Sequence, residues 1–433
     1  MTLSRLSAMC RPYVNGRRHP SMRAGFIVSA IASFMLAGLS AGAHAENTPP
    51  PPANKRNCQN TVPFNQWLAD FKRDAIAQGI RPETIEETIG GLTPDQGTIA
   101  RDRKQGFFSQ TFIDFYFKLA TKNREQTGKT YLKRYKAIFD RAEQQYGVPG
   151  PVITGFWALE SDFGGGMGKL SILRSLMTLA WDCRRGDFFR GELIAAMKIV
   201  ERGDLTPDQM IGSWAGELGQ TQFLPQHYLN YGVDFDGDGR VDLIRDNADV
   251  IGSTANFLKS MGWKRGEPWL EQVRITKDLP WDKADLAIKL PRSQWVAWGV
   301  EGVGKPLPAD NLPASLVLPM GRHGPAFLAY PNFDVYTQWN QSLTYALTAA
   351  HLAARMAGAP NLTRADGNVA SLSYEQIKEV QSLLKRRGLD VGEVDGKLGA
   401  NTRAAVKTMQ MKFGLPADSY PTADLLTALR ERS

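Results

Sequence analysis

Val148-Pro149-Gly150-Pro151-Val152-Ile153-Thr154-Gly155-Phe156-Trp157-Ala158-Leu159-Glu160-Ser161-Asp162-Phe163-Gly164-Gly165-Gly166 holds the pattern that decides the fold. Pro149, Gly150 and Pro151 open a helix, because a first turn has no intrahelical use for the N–H that proline lacks. Ile153, Phe156 and Trp157 define an apolar face, and Glu160 follows four after Phe156 and three after Trp157, on that same face. The glycines from Gly164 stop the helix. A carboxyl set among aromatics at a helix end is costly to ionise and keeps its proton toward neutral pH. A glycosidase needs such a group to protonate a leaving oxygen. The same pattern also fits a structural glutamate held in a buried salt bridge. Asp162, two residues on, points elsewhere and is a poor acid–base partner.

Outward from this helix the chain reads as mainly α, with some β. Phe64, Trp67, Leu68 and Phe71 repeat with helical period, as do Phe112, Phe115, Tyr116 and Leu119. Short apolar runs split by Gly and Pro between about Asp278 and Tyr336, such as Leu316-Val317-Leu318 and Ala326-Phe327-Leu328, predict a small β-containing insertion. A helix is expected again from about Ser342 to Met356. Residues 359–371 are polar and rich in Gly and Asn, as a linker would be. Beyond them, residues 372–433 predict a three-helix module. Its first helix carries Ile377, Val380, Leu383 and Leu384, its second Ala405, Val406, Met409 and Phe413, and a short third Leu425, Leu426 and Leu429.

The N-terminus reads as a targeting segment. Arg5, Arg11, Arg17, Arg18 and Arg23 precede an apolar run from Gly25 to Leu39, then the small-x-small site Ala43-His44-Ala45. Residues 1–45 are therefore expected to be a secretory signal cut before Glu46, and the mature protein to be periplasmic with no membrane anchor. The alternative is an uncleaved anchor, against which the run is short of the roughly 20 residues a span needs. Residues 46–60, with Pro49 to Pro52, predict an extended tether. Loss of the five arginines takes the formal charge from +8 to about +3, too mild to argue for nucleic acid. Cys10 leaves with the signal, so Cys58 and Cys183 either pair in an oxidising compartment or remain two separate thiols.

Phe156 to Gly164 resembles the E-[ST]-x-x-G catalytic segment of soluble lytic transglycosylases. Three further segments resemble the membrane-bound lytic transglycosylase B family: Gly212-Ser213-Trp214-Ala215-Gly216-Glu217-Leu218-Gly219-Gln220-Thr221-Gln222-Phe223-Leu224-Pro225; Asp234 to Arg240 with Ser253 to Leu258; and Asn332-Phe333 with Asn340, Ser342 and Tyr345-Ala346. The resemblance implies a goose-lysozyme-like helical catalytic domain over residues 61–358. It implies that Glu160 is both acid and base in peptidoglycan cleavage, protonating the bridging oxygen between N-acetylmuramic acid and N-acetylglucosamine. The same group would then take the proton of the muramyl 6-hydroxyl as a 1,6-anhydro ring closes. An internal nucleophile needs one carboxylate where ordinary glycosidases need two. Family position assigns Ser213 to the N-acetyl group or hydroxymethyl arm and Gln222 to the sugar subsites. Each has an alternative as a structural turn residue. Phe188, Phe257 and Trp339 stand where some members carry cleft tyrosines, and they are expected with Asn340 to meet sugar. Glu217 stands where many relatives have a small residue and is the rival carboxylate.

Asp234, Asp236, Asp238 and Gly239 match the start of an EF-hand loop, with Arg240 offering its carbonyl. The closing acid is one residue late, at Asp246. A weak structural Ca²⁺ site and a tight turn that binds no metal both fit, and the chemistry requires no cofactor. Residues Gln381 to Leu384, Asp395 to Thr402, Ala405-Val406 and Gln410 resemble the peptidoglycan-binding type 1 domain. Two other readings remain: a muramidase that hydrolyses the same bond, and a non-catalytic wall-binding protein. The expected partner is the glycan strand, and no protein partner among wall synthases can be named.

Overall fold

The structure, a computed structural model, describes residues 58–103, 110–364, 369 and 371–431. The expected signal segment, residues 46–57 of the tether, and residues 365–368 and 370 of the linker lie outside the described residues. Among the described residues no helix is long and apolar enough to cross a membrane.

The helical body begins with α1 (Phe64–Ala77), α2 (Pro82–Ile89), α3 (Gln96–Arg103), α4 (Phe112–Leu119), α5 (Lys122–Arg134) and α6 (Lys136–Tyr146). It continues through α7 (Gly150–Ser161), the short strand β1 (Leu170–Ser171), α8 (Ile172–Trp181), α9 (Gly186–Arg202), β2 (Ile211–Gly212), α10 (Pro225–Tyr231) and α11 (Asn247–Ser260). After a β-lobe the body closes with α13 (Phe333–Trp339) and α14 (Leu343–Met356). Every residue from Val152 to Ala158 in α7 is buried, so this helix is apolar on all sides and lies in the core. It packs against α14, α5, α6 and α11. Gly155 makes the crossing with α14 possible, since a Cβ there would stand 3.1 Å from the Cβ of Ala353.

The β-lobe holds β3 (Leu270–Ile275), β4 (Leu290–Pro291), α12 (Arg292–Ala297), β5 (Val300–Gly302), β6 (Pro313–Val317) and β7 (Ala326–Ala329). Its five strands are antiparallel in the order β4-β6-β7-β3-β5, with Leu316 opposite Leu328 and Val273 opposite Ala326. The lobe thus starts earlier than the expected Asp278. β3 hides from pattern reading because Glu271 and Arg274 break its apolar run. Both are satisfied at the sheet surface, Arg274 by Glu301 at 2.7 Å and Glu271 by Lys305 at 3.1 Å. A separate core around Trp295, Leu316, Leu328 and Tyr330 fills the lobe.

Cys58 and Cys183 are joined by a disulfide (S–S 2.02 Å) across 125 residues of sequence. Beside it Arg103 donates to the Cys58 carbonyl at 3.3 Å and to Asp182 at 2.6 Å.

The C-terminal module is α15 (Tyr374–Arg386), α16 (Ala400–Phe413) and α17 (Ala423–Glu431) around Val380, Leu384, Val406 and Leu425. The module is docked on the β-lobe. Arg403 donates to the carbonyls of Leu318 (3.4 Å) and Pro319 (2.6 Å), and Lys407 pairs with Asp285 at 2.8 Å. The Arg322 amide donates to Asp418 at 2.9 Å. Gly321, at φ 73°, lies so close to the module that a Cβ would come within 2.9 Å of Tyr420.

Candidate active site

Glu160 occupies the last turn of α7, half-buried. The chain leaves this turn under strain: Asp162 (φ 53°) and Phe163 (φ 60°) are both left-handed without being glycine, a cost tolerated where surroundings hold the backbone. Asp162 is held by Arg124 at 3.0 Å, away from Glu160's role. Ser161 is buried and bridges two segments, accepting from the Gly164 amide at 2.8 Å and donating to the Gln220 carbonyl.

Two side chains meet Glu160 Oε1. The indole Nε1 of Trp339 donates at 2.7 Å, and the phenol of Tyr345 donates to the same oxygen. Local sequence fixes both. Trp339 ends α13, and its ring lies 4.3 Å from that of Phe156, one turn before Glu160. Tyr345 sits in the first turn of α14, whose N-cap Ser342 accepts the Tyr345 amide at 3.3 Å. Asn340 accepts the Ser342 amide at 2.9 Å, so it shapes the corner between the two donors.

This corrects the expected stacking role of Trp339 and Phe257. Trp339 is 1% exposed and Phe257 4%, too little ring face for a sugar to cover. Phe257 instead backs Trp339 at 5.4 Å and stacks on Tyr231 at 4.6 Å. Phe188 is half-buried at the start of α9, edge-on to Phe189 at 5.0 Å.

The segment from Ser213 to Phe223 forms the adjoining wall. β2 pairs with β1, Gln220 accepts from Trp157 Nε1 at 2.9 Å, and Phe223 stands 6.0 Å from Trp339. Gln222 is left-handed (φ 52°) and only 7% exposed. Its amide donates to the carbonyls of Gly219 (2.9 Å) and Met167 (3.3 Å), which ties this wall to the loop after α7. The Ser213 hydroxyl donates to Glu217 Oε2 at 3.1 Å. Glu217 is almost wholly buried and attracts Arg185, whose guanidinium is pulled below its ordinary value chiefly by burial, against the attraction of Asp102 and Glu217.

The acidic loop departs from its expected ligand set. Asp234, Asp236 and Asp249 bring carboxylate oxygens within 4.8 Å of one another. Asp246 instead caps α11, accepting from the amides of Ala248 (2.6 Å) and Asp249 (3.1 Å). Asp238 turns to Arg240 at 3.4 Å. Burial pushes the Asp249 carboxyl up to about 6. Clustered acid oxygens, one of them costly to ionise alone, fit a hard oxygen-seeking cation.

A cavity of about 900 Å³ lies on the β-lobe, lined by Arg274, Lys305, Arg322 and Arg364 among others. It shares no lining residue with the Glu160 surroundings, and three of these cations are ion-paired to Glu301, Glu271 and Asp418. Sequence reasoning missed Tyr345, Ser161, Gln220 and Asp249 as site residues; Tyr345, Ser161 and Gln220 each stand inside a family-like segment, whereas Asp249 carried no signal.

A half-buried carboxyl at the end of a core helix, met by an indole and a phenol beside a glycine-rich wall, fits a lysozyme-like class of enzyme. Residues 63–354 match the Transglycosylase SLT domain family, and residues 373–429 the putative peptidoglycan binding domain. The chain is 34% identical over 301 residues to membrane-bound lytic murein transglycosylase B of Escherichia coli, covering 69% of this chain and 82% of that one. SltB3 of Pseudomonas aeruginosa, in complex with NAG-anhNAM-pentapeptide, superposes with a TM-score of 0.79 at 40% identity, covering 85% of this chain and 99% of that one. The Escherichia coli transglycosylase Slt35 in complex with calcium gives 0.59 at 29% identity, covering 69% and 93%. The chain belongs to the lytic murein transglycosylase B family and carries a C-terminal peptidoglycan-binding domain. It is a mainly helical lytic transglycosylase with an Slt35-like fold.

Proposed function

We propose that the enzyme cuts peptidoglycan between N-acetylmuramic acid and N-acetylglucosamine with Glu160 as its single acid and base, leaving 1,6-anhydromuramyl ends. The observation that carries this reading is the pair of donors on Glu160 Oε1. Both are uncharged groups, and together they fix the direction of that oxygen. The acidic hydrogen of the proposed reaction is carried by Glu160. From there it passes to the bridging oxygen as the bond from muramyl C1 to that oxygen breaks. The muramyl 6-hydroxyl oxygen then bonds to C1 and returns its proton to Glu160, and no water is consumed. The anhydro sugar bound by SltB3 is the product type this sequence of steps gives.

Gln222 and Asn340 act chiefly by shaping the site, and Phe188 is the ring proposed to stack on sugar. Asp234, Asp236 and Asp249 would hold a calcium ion, which would brace the loop before α11 and take no part in the reaction. The C-terminal module is the proposed wall anchor, and the periplasm the proposed location. Mass spectrometry of muropeptides released from purified sacculi tests the chemistry. Anhydromuramyl ends are expected, and Glu160→Gln should lower release by about a thousandfold while wall binding persists. Reducing ends would make the enzyme a hydrolase, and unchanged release would place the acid elsewhere.

A further inference from the structure

Gln220 is buried against the turn that carries Glu160, and both hydrogens of its side-chain amide are used. Its Oε1 accepts the indole N–H of Trp157 at 2.9 Å, and its Nε2 donates to the Ile244 carbonyl at 3.1 Å and to Asn247 Oδ1 at 3.0 Å. A donor on one side and two acceptors on the other fix which way the amide points. The backbone of Gln220 is tied at the same two places. Its amide donates to the Leu243 carbonyl at 2.8 Å, and its carbonyl accepts the Ser161 hydroxyl. Asn247 closes the frame, since its Nδ2 donates to Tyr135 at 2.8 Å and the Tyr135 ring lies 6.5 Å from that of Trp157. Trp157 stands three residues before Glu160 and Ser161 one after it. One residue therefore grips the acid's helical turn at both ends and ties it to the loop before α11.

We propose that Gln220 is a positioning residue for the reaction, fixing the α7 turn from which Glu160 projects while Trp339 and Tyr345 fix the carboxyl oxygen. The acid is thereby held twice, at its Oε1 from α13 and α14 and at its backbone from the loop before α11. Neither hold replaces the other, because one acts on the side chain and the other on the helix that bears it. The backbone leaving this turn is left-handed at Asp162 and Phe163, a conformation that lasts only where neighbours hold it. This inference rests on the reaction proposed above and adds the residue that sets where its acid stands.

The test is a double-mutant cycle on turnover of a soluble glycan fragment, run well below the Tm of every variant. Gln220→Met keeps the length of the side chain and removes its three hydrogen bonds; Trp157→Phe keeps a ring and removes the indole donor. Each should lower kcat about ten- to a hundredfold with KM little changed, the scale of displacing a reacting group by up to about 1 Å. The double variant should be no worse than the poorer single one, because the two residues act through one contact. Leu316→Ala, a cavity in the core of the β-lobe, serves as the stability control: it should lower Tm and leave kcat as it was. Losses of kcat that multiply, or that follow the loss of Tm across all these variants, would overturn the proposal.

Should Gln220→Met fail to fold, Trp157→Phe alone decides: a fall in kcat at constant KM supports the assignment, and a native kcat refutes it. Glu160→Gln run alongside separates the failures. If it is as active as the native enzyme, the underlying reaction is wrong. If it is inactive while Gln220→Met and Trp157→Phe turn over like the native enzyme, only this inference falls.

Discussion

The indole of Trp339 and the phenol of Tyr345 reach the same oxygen of Glu160, yet the indole can only donate whereas the phenol can also accept. Replacing either by phenylalanine keeps a ring in place and removes the donor. Trp339→Phe and Tyr345→Phe should each lower kcat by about ten- to a hundredfold, the range for a hydrogen bond to a charged group, with little change in KM. Unchanged kcat in Trp339→Phe would reduce that residue to packing against Phe156. Helical period places Glu160 on one face with Phe156 and Trp157, a pattern that equally fits a structural glutamate, and it is the resemblance of the whole segment that singles it out. Its donors come from 179 and 185 residues along the chain, a pairing that no local period records. Trp339 reads as a sugar platform for a related reason: a sequence does not say whether an indole offers its face or its N–H.

At the scale of elements, helical period exposes α1, α4, α7 and α14, because each turns a continuous apolar face inward. It does not expose β3, whose charges are neutralised by strands that arrive later. The acidic loop shows the same limit. Counting along the loop nominates Asp246, but α11 begins there and uses that side chain as its cap, and the next inward-facing acid, Asp249, closes the cluster.

This has a pH signature. A carboxyl raised to about 6 by burial binds its proton more tightly folded than unfolded. Its favourable contribution is complete below the unfolded value and is lost as pH rises through about 6. A bound cation reverses that loss by favouring the ionised form. Calcium should therefore raise Tm clearly at about pH 7.5 and little at about pH 5. Asp249→Asn should abolish the calcium effect and lower the metal-free Tm, because its two oxygens accept the buried amides of Phe235 and Asp242 and an amide side chain can accept only one of them. A calcium response that survives Asp249→Asn but not Asp246→Asn would restore the spacing-based ligand set. Calorimetry with and without chelator decides between them.

For the molecule as a whole, composition suggests a helical body, a polar stretch and a three-helix module, and the resemblance suggests what each does, but neither shows the joint between them. Arg403 looks like any exposed cation on an amphipathic helix until its two acceptors, the carbonyls of Leu318 and Pro319, are seen on another lobe. Arg403→Ala should release the module. Small-angle scattering would then report a larger radius of gyration, and digestion of intact sacculi would slow while cleavage of short soluble fragments stayed as it was. No change in scattering would mean that Lys407 with Asp285 and the Asp418 contacts suffice to hold it. With Arg403 in place the joint has little freedom to swing. If the module is the wall anchor and Glu160 the cutting acid, as proposed, the offset between grip and scission is built into the protein, as the gap is in a calliper. A strand seized by the one would reach the other at a set number of sugars, so fragment lengths would cluster instead of spreading.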